Sequence, residues 1–236
     1  MDLPKAPWLG PRTPARRPVK QPLSQERIVD AALELVVAEG YEAVSMRRVA
    51  QALGTGAASL YAHVANKQEL DQLMLDRMAA GIDVPDPDPA KWQEQVIDVM
   101  RATFVRLRSF PGLARAAIGQ IPLGEHALIS TERIIAIMRA GGLPDQVVAY
   151  AVDLLPLYVC AVAFEESVQG ASEWAQEDIE KFVSELSAYF AALPKDRFPN
   201  IVSLATTLTA GGGDDRFEFG LRVIVAGLAS MAETKA

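Results

Sequence analysis

This 236-residue chain holds a single cysteine and only two histidines. The lone thiol, Cys160, excludes an internal disulfide framework and fits a reducing compartment. No His/Cys/Asp cluster has metal-ligand spacing, so neither a metal nor another cofactor is expected. A nucleophile elbow, a phosphate loop and a zinc-protease helix are all missing, which argues against an enzyme. The first 22 residues lack the apolar core of a secretory signal. The run "LLPLYVCAVAF" is short for a bilayer and flanked by Asp153 and Glu165. These absences predict a soluble, cytoplasmic chain without a membrane span. Period-two alternation is also lacking, so the expected fold class is all-α.

The most local absence concerns acid. Residues 43–68 contain Arg47, Arg48 and Lys67 but no Asp or Glu, in a chain where acids outnumber bases 30 to 23. Residues 1–67 carry nine Lys/Arg against six Asp/Glu, and the remainder fourteen against twenty-four. A basic end on an acidic body suggests two tasks in two places. Within that end, residues 1–22 hold six of the fifteen prolines and five bases against one acid. Such a stretch cannot form a helix and reads as a flexible basic arm or an inert tail.

From Leu23 onward helical periodicity dominates. Ser24 starts a helix with Ile28, Ala31, Ala32, Leu35 and Val36 on one face, ended by Gly40. Ser45 starts a short second helix carrying Val49 and Leu53, and a third carries Leu60 and Val64. Asn66 and Glu69 resemble a capping box for a fourth helix reaching Gly81. After the break "IDVPDPDPA", helices are predicted from Trp92 to Leu107, Gly124 to Ala140 and Pro144 to Gln169. Further helices follow at 173–192, "FPNIVSLATTL" and 215–232. The organisation expected is an arm at 1–22, a first domain at 23–70 and a helical body at 71–236.

Two short helices joined at Gly54, with Val49, Ala50, Leu53, Leu60 and Val64 turned inward, have the dimensions of a helix-turn-helix. The outward positions Arg47, Arg48, Thr55, Ser59, Tyr61, His63 and Lys67 offer donors, small groups and no carboxylate to repel phosphate. The second helix of such a motif enters the major groove, and "GAAS" at its start is slim enough. Tyr61 and Lys67 suit phosphate, and Arg47 suits bidentate contact with guanine. His63 either joins them or packs against the fourth helix; Arg48 either joins them or only solvates the surface. With Ala57, Ala58 and Ala62 few side chains remain to read bases, which shifts specificity toward thymine-methyl contacts or DNA shape.

The stretches "RIVDAALELVVAEG" and "SMRRVAQALGTGAASLYAHVANKQEL" resemble the DNA-binding domain of the tetracycline-repressor family of transcriptional regulators. Weaker likeness runs through "PLGEHAL" and "DDRFEFGL". The resemblance implies that Arg47 and Arg48 approach DNA from the second helix, Ser59, Tyr61 and His63 from the recognition helix, and that Lys67 grips phosphate. It also implies a repressor that a small molecule releases by moving the fourth helix. Dimers of the family pair through helices matching 144–169 and 215–232, and bind an inverted-repeat, double-stranded operator. Gly220 and Gly227, seven apart on one helical face, suit close crossing at that interface or inside the chain.

For the small molecule the body offers Trp92, Met100, Thr103, Phe104 and Ile118, then Met138, Leu154 and Tyr158, as pocket lining or as plain core. Asp153 is more pointed, because a charge amid "YAVDLLPLYVC" is costly unless paired. Pro156 lacks an N–H, so the Val152 carbonyl loses its helical donor and the helix is expected to bend. Acid and carbonyl together suit a donor or cation on a ligand; the alternative is a salt bridge to a nearby Arg. Tetracycline itself is disfavoured, since family members that sense it use histidines to hold a drug–metal chelate. The expected effector is uncharged or weakly cationic and largely apolar. Two other readings are an all-helical enzyme using "GGGDDRFEFG" and "FEESVQ", and an interaction protein. The first reduces to Asp214 and Asp215 as a helix cap and Glu165–Glu166 as a solvated turn. The second leaves the acid-free window unexplained.

Overall fold

The computed structural model describes residues 22–170 and 176–232. Residues 1–21 of the predicted arm, and the start of the helix predicted at 173, lie outside them. The described residues are all-α. In order they form α1 (Gln25–Glu39), α2 (Met46–Ala52), α3 (Ala57–Leu60) and α4 (Lys67–Ala79). The body follows as α5 (Trp92–Arg108), α6 (Ala114–Ala117), α7 (Glu125–Ala140) and α8 (Asp145–Gly170). It ends with α9 (Gln176–Ala191), α10 (Pro199–Ser203), α11 (Ala205–Thr209) and α12 (Gly213–Ala229).

The predicted helix starts are chemically explicit. Ser24 accepts from the Arg27 N–H at 3.3 Å, Ser45 from Arg48 at 3.2 Å and Asn66 from Glu69 at 2.9 Å. Gly40, at φ 81°, closes α1 through its N–H to the Val36 carbonyl. Inside the first domain Ile28, Ala32, Val36, Val49 and Leu60 are fully buried. Each large aliphatic side chain so buried contributes roughly 1.5–3 kcal/mol. That is enough to hold helices as short as α2 and α3, which could not persist alone.

In the body, α5 lies at the centre and packs on α7, α8 and α12. Phe104 of α5 stacks on Phe217 of α12 with centroids 3.9 Å apart. Charges close the rim of this contact. Arg101 donates to both oxygens of Glu218 at 2.6 and 2.9 Å. Arg108 donates to both oxygens of Glu166 at 2.6 and 2.5 Å, and also to Asp214. The hydrogen bond from Arg101 holds the Glu218 carboxyl below its ordinary pKa.

Several elements differ from expectation. Glu165 and Glu166 lie inside α8 rather than on a solvated turn, and Glu166 serves as a partner of Arg108. The cap of α12 is Gly212, not Asp214 or Asp215. Asp215 reaches back to accept the Gly212 N–H at 3.2 Å, while Asp214 binds Arg108. "FPNIVSLATTL" divides at Leu204 into α10 and α11, and the single turn α6 gave no periodic signal because it is too short to show one. Helix α8 runs through Pro156 without interruption. From Asp145 to Val168 it is long and apolar enough to cross a membrane, by length and composition only, which the shorter run noticed in the sequence did not suggest. Its apolar character on all sides has a different use here. One face packs on α5, α6, α7 and α12, and the other leaves Tyr150, Leu154 and Leu157 exposed.

Candidate nucleic-acid interface and body cavity

Val49, Ala50, Leu60 and Val64, each at most 2% exposed, press α2 and α3 together. The turn between them needs Gly54, at φ 63°, and is pinned by the Thr55 N–H to the Ala50 carbonyl at 2.9 Å. This presents Arg47, Ser59, Tyr61 and His63 to solvent, with Thr55 partly buried beside them. Tyr61 and His63 lie on the turn after α3, whose regular helix is one turn long. Arg47 has no side-chain ion pair or hydrogen bond among the described residues. Of the three bases in the window it is the one left uncommitted.

The other two meet acids from just outside the window. Arg48 donates through Nε to Glu39 at 3.2 Å and forms a second, shorter contact with the same carboxylate. Lys67, the first residue of α4, binds Asp71 one turn later and the Tyr41 hydroxyl at 3.1 Å. Its ammonium also sits 4.2 Å from the centre of the Tyr41 ring. Asp71 is the one buried charged residue among those described, 6% exposed, and also accepts from the Tyr41 hydroxyl at 3.0 Å. Burial, and then the Asp71 carboxylate, push the Tyr41 phenol above its ordinary pKa. The sequence window is therefore free of acid, but Glu39 and Asp71 return to it in space. Sequence spacing carried a signal for the second of these, since Lys67 and Asp71 are four residues apart on one helix.

A cavity of about 390 Å³ opens between α4, α5, the segment 117–124, α7 and α8. Thr103, Ile118 and Asp153 stand in its wall. The remaining residues expected there do not. Trp92, Met100, Phe104 and Met138 are at most 7% exposed and belong to the core, because the helical face they share is the one α5 and α7 turn inward. Leu154 is 45% exposed on the outer face of α8. Tyr158 turns to α12, where its hydroxyl donates to the Phe217 carbonyl at 3.1 Å. Gly220 is explained by the same contact, since a Cβ there would fall 2.1 Å from the Tyr158 oxygen. Its close crossing is inside the chain, whereas Gly227 faces open space.

Asp153 is exposed rather than enclosed in its apolar run, so it needs no ion pair, and it has no salt bridge to an arginine or lysine among the described residues. Beside it in the wall are Val152 and Pro156, so the carbonyl deprived of a helical donor belongs to the cavity lining. Cys160 lies deeper, and burial pushes its thiol up to about 11, keeping it protonated and unreactive near neutrality.

Helix α4 joins the two regions. It packs on α1 of the first domain and holds Tyr41 through Lys67 and Asp71, and Gln72, Leu75, Asp76, Met78 and Ala79 wall the cavity. Asp76 is tied to α7: it accepts from the Ala127 N–H at 3.0 Å and contacts the His126 Nδ1 at 3.0 Å. Gly124, at the start of α7, has no side chain to cap the helix, and α4 supplies one instead. Sequence reasoning missed this because the two residues are 51 apart. His126 is thus a half-exposed partner of Asp76, and among the described residues no group of His, Cys, Asp and Glu could hold a metal.

Known proteins show the same two-part design. Residues 28–72 match the tetR family of bacterial regulatory proteins, and residues 84–232 the tetracyclin repressor-like C-terminal domain. The HTH-type transcriptional repressor DrrR1 of Streptomyces coeruleorubidus is 34% identical over 224 residues, 94% of this chain and 82% of that protein. An HTH-type transcriptional regulator of Saccharopolyspora erythraea is 31% identical over 97% of this chain and 93% of its own length. The crystal structure of the TetR family protein ActR of Streptomyces coelicolor, in complex with actinorhodin, superposes with a TM-score of 0.83. It shares 43% identity over 91% of this chain and 99% of ActR.

Proposed function

Because this chain belongs to the tetR family of bacterial regulatory proteins, whose members regulate transcription rather than catalyse reactions, we propose that it is a ligand-released repressor. In this reading two copies hold an inverted-repeat operator through α2 and α3 in the bacterial cytoplasm. A small, largely apolar molecule entering the body cavity ends that hold. The observation that carries it is α4, a single helix of 13 residues that packs on α1 of the first domain and also walls the cavity. A ligand shifts the equilibrium only by its preference for one arrangement of that helix, and Asp76 links the arrangement to α7. The complex of ActR with actinorhodin supports a small-molecule input.

The paired state rests on apolar surface. Tyr150 and Leu154 on α8 and Phe219 and Val223 on α12 are 45–71% exposed, and α8 and α12 pack side by side. Exposed apolar side chains on two adjacent helices suit a two-fold partner. Such a dimer places its recognition elements roughly 34 Å apart, or a multiple of it. On DNA, Arg47 reads a base edge, Tyr61 and Lys67 contact phosphate, and Arg48, Thr55, Ser59 and His63 complete the face.

The test is binding of full-length protein to the promoter fragment beside its own gene, by fluorescence anisotropy. Arg47→Ala should relax the preference at one position of each half-site, at roughly 1–3 kcal/mol. Folded protein that at low salt fails to bind every neighbouring intergenic fragment would sink the proposal. The enzyme reading loses these residues, because Asp214 and Glu166 are held by Arg108 and Asp215 accepts the Gly212 N–H.

A further inference from the structure

The cavity wall is one-sided in charge. It contains two carboxylates, Asp76 and Asp153, and no Lys, Arg or His. Asp76 is engaged by the Ala127 N–H and His126, but Asp153, an exposed residue, has neither a cation nor a donor among the described residues and is open to a ligand. Other acceptors in the wall also lack donors. The side-chain carbonyl oxygen of Gln120 is buried without a partner. Pro156 leaves the Val152 carbonyl without its helical N–H. Thr103 spends its hydroxyl proton on the Val99 carbonyl at 2.8 Å, so it faces the cavity with lone pairs only. Gln72 and Thr131 add two more polar side chains, and the rest of the wall is apolar, including Leu75, Leu107 and Leu123.

We infer that the effector carries a protonated amine on a largely apolar, ring-like skeleton, with the ammonium received by Asp153 and the unpaired oxygens around it. This rests on the ligand-release reading and specifies its ligand. An ammonium brings three N–H donors and a positive charge, which matches a wall with two carboxylates and no cationic side chain. A carboxylate of similar shape would meet Asp153 with no cation to offset the repulsion. A neutral analogue fills the apolar space but brings Asp153 no counter-charge, and a charge-assisted hydrogen bond is stronger than a neutral one.

The experiment uses three matched fluorescent probes with the full-length protein: 9-(aminomethyl)anthracene, its N-acetyl derivative and anthracene-9-carboxylate. Binding is titrated without DNA, and release of the operator fragment is then followed separately. The amine should bind about 10- to 100-fold more tightly than the amide, the range expected for a charge-assisted hydrogen bond, and the carboxylate most weakly. Asp153→Asn should remove most of the amine's advantage and leave the amide unchanged. Should that variant not fold, the order of the three probes on the unaltered protein decides alone. Equal or tighter binding of the carboxylate overturns the inference. So does a loss on Asp153→Asn that is equal for amine and amide, or one seen only as weaker dimerisation in sedimentation. No measurable binding of any probe counts against this cavity as the effector site and against the inference with it. Selective amine binding that leaves the operator bound would uphold the inference while refuting ligand release. Release by the amide or carboxylate alone would do the reverse.

Discussion

Replacing Gly124 with alanine should dislodge Asp76 from the start of α7. The added Cβ would lie 2.2 Å from the Cγ and Oδ1 of Asp76 and 2.5 Å from its Cβ, where ordinary contact begins near 3.4 Å. The backbone at Gly124, φ −70° and ψ 157°, accepts alanine without strain, so the conflict is purely between side chains. Asp76 must then leave the Ala127 N–H. Losing a helix cap of this kind costs about 1 kcal/mol, and a displaced rotamer adds roughly 0.5–1.5 kcal/mol. Restricting the unfolded chain returns about 0.4–1 kcal/mol. The net is a destabilisation of about 1 kcal/mol, which lowers Tm by roughly 2–4 °C in a chain of this size. Thermal unfolding followed by circular dichroism of Gly124→Ala, Asp76→Gly and the double variant isolates the cause. Glycine at 76 also removes the Cβ that lies 2.5 Å away, so the clash vanishes and the double variant should exceed Asp76→Gly in stability by about 0.4–1 kcal/mol. A penalty for Gly124→Ala that persists unchanged in the Asp76→Gly background would refute the reasoning.

Lys67→Met should be strongly destabilising, about 3 kcal/mol, because it strips the ammonium from buried Asp71. Lys67→Met with Asp71→Leu should regain stability in urea titrations yet still bind operator more weakly with a flatter salt slope; a normal slope would remove Lys67 from the phosphate contacts. The Glu218 pair carries a pH signature. Its folded pKa is depressed, so the folded state holds fewer protons and the contribution is present above the unfolded value of about 4.3 and lost as pH falls through the folded one. Glu218→Gln should therefore lower Tm at pH 7 and lose that deficit in acid, and a deficit independent of pH would contradict the pairing. Phe219, 71% exposed on α12, tests the paired state. Phe219→Glu should sediment as a monomer and bind operator at least about tenfold more weakly, because a buried unpaired charge opposes association; an unaltered dimer would move the interface elsewhere.

The helices of the first domain were legible because their signals are local. Ser24, Ser45 and Asn66 each mark a start within three residues of the N–H they accept, and Gly40 and Gly54 mark the stops. The cavity was legible only in part. Asp153 stood out as a charge in an apolar run and Thr103 and Ile118 also line the wall, but Met100, Phe104 and Met138 carry the same periodic signal from inside the core. Periodicity reports which face of a helix is turned inward. It does not say whether that face meets another side chain or a void.

The order of residues alone thus settled the all-helical class, the capped helices of the first domain and the acid-free window, each written in neighbours a few positions apart. Tertiary structure decided which charges remain uncommitted. Glu39 takes Arg48, Asp71 takes Lys67 and Arg108 gathers Glu166 and Asp214 from residues 58 and 106 positions away. It also set Asp76 over the start of α7 and left Asp153 without a cation. Ion pairing and capping depend on distances of about 3 Å, and for groups so far apart along the chain only the packing of the helices sets those distances.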